Sequence, residues 1–158
     1  MLPTLIRPAY LDDADALTDL ILDLGWFQHY FEGASLEEVQ ARIAHKLRLT
    51  LDSESHSVYV AENPAGQMEG YVSVHWLPYL FLPGPEGFVS ELFVRESARG
   101  QNLGSQLLEV VKQEAVTRGC FRLSLLNMRP RESYQRGFYS KQGWDERPDA
   151  ANFVLRLK

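Results

Sequence analysis

The 158-residue sequence predicts one α/β domain, a mixed sheet with helices on both faces. Three observations carry this. Strand-like runs at residues 4–8, 57–62, 67–76, 88–94, 120–127 and 152–157 alternate with four helical stretches in the order β-α-α-β-β-β-α-β-α-β. Glycine and proline turns separate the two kinds, and no linker or repeat divides the chain. A hydrophobic content of 45% over this length suits a single core.

Residues 4–8 open as a strand. Asp12 or Asp13 can cap the helix that follows, where Leu17, Leu20, Ile21 and Leu24 keep a helical period until Gly25 stops it. Trp26 to Phe31 is an aromatic-rich connector. Ser35 with Glu38 three residues on is the pattern of a capping box, and the helix it starts uses Val39, Ile43 and Leu47 as its apolar stripe. Ser57 to Glu62 alternates as a strand, and Asn63-Pro64-Ala65-Gly66 reads as a hairpin turn into a long strand ending near Trp76.

Three prolines and two glycines between Leu77 and Gly87 predict a loop. A strand from Phe88 to Val94 comes next, then a helix from about Leu103 to Thr117 that Gly119 ends. A buried strand over Cys120 to Asn127, a fourth helix within RPRESYQRGFYS and a closing strand from about Asn152 to Leu157 complete the order.

One cysteine, Cys120, excludes an internal disulfide framework and a multi-cysteine metal site, and its place in an apolar run reads as a packed thiol. No His/Asp/Glu set has metal-ligand spacing. The N-terminus lacks a basic segment ahead of a long apolar core, and no run approaches the roughly 18 apolar residues of a membrane span. The expectation is a cytoplasmic protein without a membrane partner.

A net charge of −5 argues against nucleic acid as a partner. Its distribution is uneven: residues 1–91 sum to −10 and residues 92–158 to +5. Solvated helix faces account for much of this, yet the separation would also draw an anionic ligand to one side and a cationic one to the other.

The stretch from Phe88 to Leu108 points to chemistry. The apolar run FVSELFV meets Arg99-Gly100-Gln101-Asn102-Leu103-Gly104 and then SQLLEVVKQEA, a strand led into a helix N-terminus through a tight loop. Such a junction aims free N–H groups and the positive end of the helix dipole at one spot, which suits a pyrophosphate. The Gly-Lys-Ser/Thr ending of a nucleotide P-loop and the three glycines of a dinucleotide fingerprint are both missing. An ordinary turn before a helix would read the same way.

The segment resembles the acyl-CoA loop of the GCN5-related N-acetyltransferase (GNAT) family, Gln/Arg-x-x-Gly-x-Gly/Ala. Arg99 and Gly104 fit that pattern, and Asn102 stands in place of the middle glycine. Asn is the side-chain-bearing residue that best tolerates the left-handed region, so the loop can keep its shape. Phe138-Tyr139-Ser140-Lys141-Gln142-Gly143-Trp144 resembles the ending of the family's fourth helix, and Ile6-Arg7-Pro8-Ala9 with Asp12-Asp13-Ala14-Asp15 resembles its opening. Together these span nearly the whole chain.

The resemblance implies a GNAT fold, a mixed and mostly antiparallel sheet of six to seven strands with about four helices on both faces. It implies an acetyl-CoA-dependent N-acetyltransferase acting directly on the primary amine of a small molecule or peptide, with a homodimer as a compatible assembly. Main-chain groups of Leu92, Phe93 and Val94 would pair with pantetheine. Gly100, Gln101, Asn102, Leu103, Gly104 and Ser105 would hold the pyrophosphate, with Arg99 as a further contact and Arg129, Arg131 and Arg136 as candidates for the adenosine phosphate.

Tyr139 would lie beside the thioester sulfur as acid or hydrogen-bond donor, and Glu91 would be the base, with His29 and His75 as alternatives. Trp26, Phe27, Tyr30 and His75 would form the acceptor pocket. The sequence departs from the family at Glu132 and Gln135, where many relatives carry Asn and Ala. A non-catalytic acyl-CoA-binding domain and a nucleotide-binding protein using the same loop remain alternatives.

Overall fold

The computed structural model describes residues 2–158. The chain divides into two compact units, one ending at Leu125 and the other covering Leu126–Lys158. The first contains β1 (Leu5–Pro8), α1 (Ala14–Leu24), α2 (Leu36–Leu51), β2 (His56–Glu62), β3 (Met68–Leu77), β4 (Glu86–Val94), α3 (Leu103–Thr117) and β5 (Arg122–Leu125). Its sheet runs in the order β1-β2-β3-β4-β5. The first four strands are antiparallel neighbours, and β5 lies parallel to β4.

Strand alternation decides which helix covers which face. On β2, Val58 and Val60 join a buried cluster with Leu17 and Leu20 of α1 and Leu47 of α2. The hydroxyls of Ser57 and Tyr59, which point the other way, donate to Glu114 of α3 at 2.8 and 2.7 Å. So α1 and α2 cover one face and α3 the other. Leu107, Leu108 and Val111 of α3 are fully buried against that second face, where the Trp76 indole donates to Ser57 at 3.0 Å.

Local chemistry sets the element starts. The expected capping box forms at α2: the Glu38 N–H donates to Ser35 Oγ at 3.2 Å, and the Ser35 N–H donates to the Glu38 carboxylate at 2.8 Å. Asp13 does not cap α1. Its carboxylate instead accepts two bonds from Arg7, at 2.8 and 2.9 Å, and one from the Tyr10 N–H at 2.7 Å, while Arg7 also bonds Glu62. Burial opposes ionisation of Asp13, but these donors hold its carboxyl below the usual range.

Several expectations need correcting. The loop after β3 is shorter than Leu77–Gly87, because β4 begins at Glu86, buried and paired with Arg122 of β5 at 3.2 Å. Gly87 belongs to the strand: a Cβ there would overlap Leu123 and come within 2.7 Å of Trp76. Strand five is four residues rather than eight.

The closing strand does not form, so the sheet has five strands among the described residues and not six to seven. No main-chain hydrogen bond among the described residues involves 151–158. A strand is stabilised only by a neighbour, and β-propensity without one leaves an extended tail. In this second unit the expected fourth helix is only α4 (Glu132–Gln135), followed by a 3₁₀ turn at Ser140–Gln142. Cys120 is half-buried, and burial pushes its thiol up, which makes it a poor nucleophile. No described helix is long and apolar enough to cross a membrane.

Candidate active site

The sheet opens between its last two strands. β4 pairs with β5 only from Glu86 to Val89, opposite Arg122 to Leu125. Immediately beyond, the register with β3 slips: Val74 faces Val89 but Ser73 faces Glu91, so Ser90 is the extra residue of a bulge. Leu92, Phe93 and Val94 keep β3 on one side, opposite Val72, Tyr71 and Gly70. No described strand pairs with their other edge.

At the end of that open edge the chain turns into α3. Arg95 pins the turn by donating to the Met68 carbonyl and to Asp23, at 3.2 and 2.7 Å. Gly100 and Asn102 both adopt left-handed backbone, with φ of 78° and 63°, and Asn102 is the one non-glycine residue to do so among the described residues. That expectation for Asn holds. The N–H groups of Gly100, Gln101, Asn102, Leu103, Gly104 and Ser105 have no protein acceptor among the described residues, and the first helical bond runs from the Gln106 N–H to the Asn102 carbonyl. Alternating handedness turns successive N–H groups toward one concavity, the geometry of an anion nest.

Arg99 leans back over the strand. Its Nε donates to the Val94 carbonyl at 3.4 Å and its guanidinium lies 5.4 Å from the Trp26 ring centre.

Glu91 sits one residue past the bulge, its carboxylate accepting the Tyr71 hydroxyl at 3.1 Å. Solvent reaches the side chain, yet the atoms crowded around it displace enough water to raise its carboxyl above the usual range, against the pull of Tyr71, His75 and Lys46. Burial, then the Glu91 charge, holds Tyr71 far above the ordinary phenol range, so it remains a donor. Phe93 packs 5.7 Å from Tyr71, 5.2 Å from Phe27 and 5.7 Å from Trp26, which makes one aromatic wall.

Trp26 and Phe27 thus connect to Glu91 through Phe93 and then Tyr71. Tyr30 is exposed and stacks on His29 instead, at 3.9 Å. His75 bonds the bulge residue Ser90 at 3.1 Å and stacks on His56 at 3.9 Å. Burial and that neighbour depress His56 to about 4. Sequence reading missed Tyr71 and Ser90. Alternation along β3 puts Tyr71, Ser73 and His75 on one face, which was the available signal, but which β4 residue stands opposite depends on the bulge.

In the second unit, Tyr139 is half-buried, edge-on to Phe138 at 4.9 Å and to Trp144 at 6.0 Å. Its carbonyl accepts the Gln142 and Trp144 N–H groups, but its hydroxyl has no hydrogen-bond partner among the described residues. Burial pushes the phenol up to about 12, with Arg131 pulling the other way. Glu132 is exposed at the start of α4, Gln135 donates to the Arg129 carbonyl, and Arg129 pairs with Glu146.

The sequence model of the acetyltransferase (GNAT) family matches residues 21–144. No curated protein matches the chain. Among solved structures, a transcriptional regulator from Bacillus halodurans C-125 is 20% identical with a TM-score of 0.81, covering 98% of this chain and 99% of its own. The ribosomal-protein-alanine N-acetyltransferase of Brucella melitensis biovar Abortus 2308 is 19% identical, with TM-score 0.73 and the same coverage, 98% and 99%. Glucosamine-6-phosphate N-acetyltransferase from Arabidopsis thaliana is 21% identical, with TM-score 0.74 over 99% and 100%. At these identities the similarity is one of fold.

Proposed function

Because the chain belongs to the GNAT acetyltransferase family, we propose that it moves an acetyl group from acetyl-CoA directly to the primary amine of a small molecule or peptide. The observation that carries this reading is the run of N–H groups from Gly100 to Ser105 without protein acceptors, set at the end of the unpaired edge of Leu92 to Val94. A pyrophosphate needs converging donors, and a pantetheine arm needs strand-like main chain; these residues fit both. When bound, acetyl-CoA supplies an activated thioester.

The chain's own residues supply the rest. An alkyl amine near pKa 10.4 is mostly protonated at neutral pH, which hides the nucleophile at a cost of about 4–5 kcal/mol. Glu91 is the proposed acceptor of that proton: it touches solvent, and crowding lifts its carboxyl toward the working pH, where a base is most effective. Tyr71 holds the carboxylate in place from behind. Trp26, Phe27 and Phe93 form an apolar wall for the acceptor's carbon skeleton, and the acidic N-terminal part favours a cationic one.

Tyr139 is the proposed hydrogen-bond donor to the leaving sulfur, from its place in the Phe-Tyr motif and its unpaired hydroxyl. With a phenol near 12, outright protonation of a thiolate near 8.5 is uphill by about 3.5 units, or ~5 kcal/mol. Donation without transfer is the assignment that chemistry supports.

The test is thiol release from several acyl-CoAs against a panel of amines, with calorimetry for coenzyme binding. Coenzyme binding with amine-dependent thiol release supports the reading. Binding without turnover on any amine would leave an acyl-CoA-binding domain, and preference for ATP or NAD would overturn the coenzyme assignment.

A further inference from the structure

We propose that His75 and Ser90 form a clamp that fixes where the bulge in β4 falls, and so holds the Glu91 carboxylate on the face of the sheet that carries α1 and α2. Alternation puts Tyr71, Ser73 and His75 of β3 on one face, and Tyr71 belongs to the buried cluster of Leu17, Leu20 and Leu47, so this is the α1 and α2 face. In a regular strand Ser90 and Glu91 would point to opposite faces. Here both reach the same one: His75 Nε2 meets Ser90 Oγ at 3.1 Å, and the Tyr71 hydroxyl donates to Glu91 at 3.1 Å. The bulge is what turns them together.

Nothing in the main chain alone ties the extra residue to position 90, since moving it by one leaves most of the β3–β4 ladder in place. The side chains do. The Ser90 hydroxyl spends its hydrogen on the Ser73 carbonyl, at 3.4 Å, which leaves its oxygen to accept from the His75 Nε2–H and assigns that ring's tautomer. His75 is itself held from the other side. Its ring stacks on His56, directly opposite on β2, at 3.9 Å, and His56 Nε2 bonds the buried Ser73 hydroxyl at 2.6 Å.

The three β3 side chains of this face thus each hold one neighbour: Tyr71 holds Glu91, Ser73 holds His56 and His75 holds Ser90. His75 and Ser90 act through Glu91, as positioning residues. The bearing of the clamp on catalysis rests on Glu91 as the proposed base.

NMR titration of the Glu91 side-chain carboxyl in the full chain tests the clamp without turnover. Titratable groups reach Glu91 from β3, as Tyr71 and His75, and from α2, as Lys46, while His56 stacks on His75. In the parent the carboxyl should titrate above the usual range. Ser90→Ala frees the bulge and lets water reach Glu91, so its midpoint should fall toward the usual range; Ser90→Thr, which keeps the hydroxyl, should hold it up. His75→Phe keeps a ring against His56 but loses the donor, and its midpoint should fall as well. His75→Gln keeps an N–H and should not fall. Losing the His75 charge alone would raise the carboxyl, so a fall in His75→Phe reports movement and not charge.

On any amine that the panel above turns over, Ser90→Ala should lower kcat ~10- to 100-fold and leave the KM for acetyl-CoA unchanged. An unchanged kcat overturns the positioning role. A midpoint unmoved in Ser90→Ala and His75→Phe overturns the clamp, as does an equal fall in all four variants, the mark of mere packing. Midpoints that move as stated, with no amine turned over, would uphold the clamp and remove the acetyl-transfer reading instead.

Discussion

Replacing Asn102 separates the shape of the loop from its side-chain chemistry. Asn102 holds φ 63° and ψ 19°, a region that costs an ordinary L-residue about 1–2 kcal/mol and glycine almost nothing. With Asn102→Val the free loop relaxes out of the left-handed turn, and coenzyme binding must then restore it. That strain converts to a Kd weakened roughly 5- to 30-fold, while Asn102→Gly should bind as well as the parent or better. Calorimetric titration with CoA measures both. Because residue 102 is exposed, the melting temperature should move little, which guards against a trivial folding defect. An unchanged Kd in Asn102→Val would refute the claim that this turn aims N–H groups at the coenzyme.

Further outcomes follow from the other groups. Glu91→Gln should bind CoA normally and lower kcat by ~10²- to 10⁴-fold. In the parent, activity should fall as pH drops through a carboxyl pKa lying above the usual range, and this acid limb should vanish in the variant; an unchanged acid limb removes Glu91 as the base. Tyr139→Phe should reduce kcat with little effect on CoA affinity, and unchanged turnover would remove its role at the sulfur. Asp13→Asn should destabilise the fold by ~2–3 kcal/mol at neutral pH in urea titrations. Because the folded carboxyl is depressed, the parent's advantage is complete above the unfolded value near 4 and fades as pH falls through the folded one; a pH-independent difference contradicts the ion-pair account. Glu114→Ala should cost about 2–3 kcal/mol, since the Ser57 and Tyr59 hydroxyls lose their acceptor, and a melting point within a degree of the parent would contradict that.

What could be read from the sequence was what depends on neighbours along the chain. The box between Ser35 and Glu38 lies within one helical turn, and the tolerance of Asn102 for left-handed backbone is a property of one side chain. What escaped depends on partners far apart. Ser90 becomes a bulge only because β3 and β4 slip by one residue, and that slip sets Glu91 beside Tyr71. Tyr30 is as aromatic as Trp26 and Phe27, but nothing local says that the connector turns it away from Phe93. Residues 152–157 show the same limit: a β-favouring run records a preference for a strand and is silent on whether an edge receives it.

Amide spectra of isotope-labelled protein titrated with CoA test the central claim most directly. The account predicts that the N–H signals of Gly100 to Ser105 move first and furthest, joined by Leu92 to Val94, and that inorganic pyrophosphate shifts the first group alone. Large shifts elsewhere, with those of Gly100 to Ser105 unmoved, would contradict it.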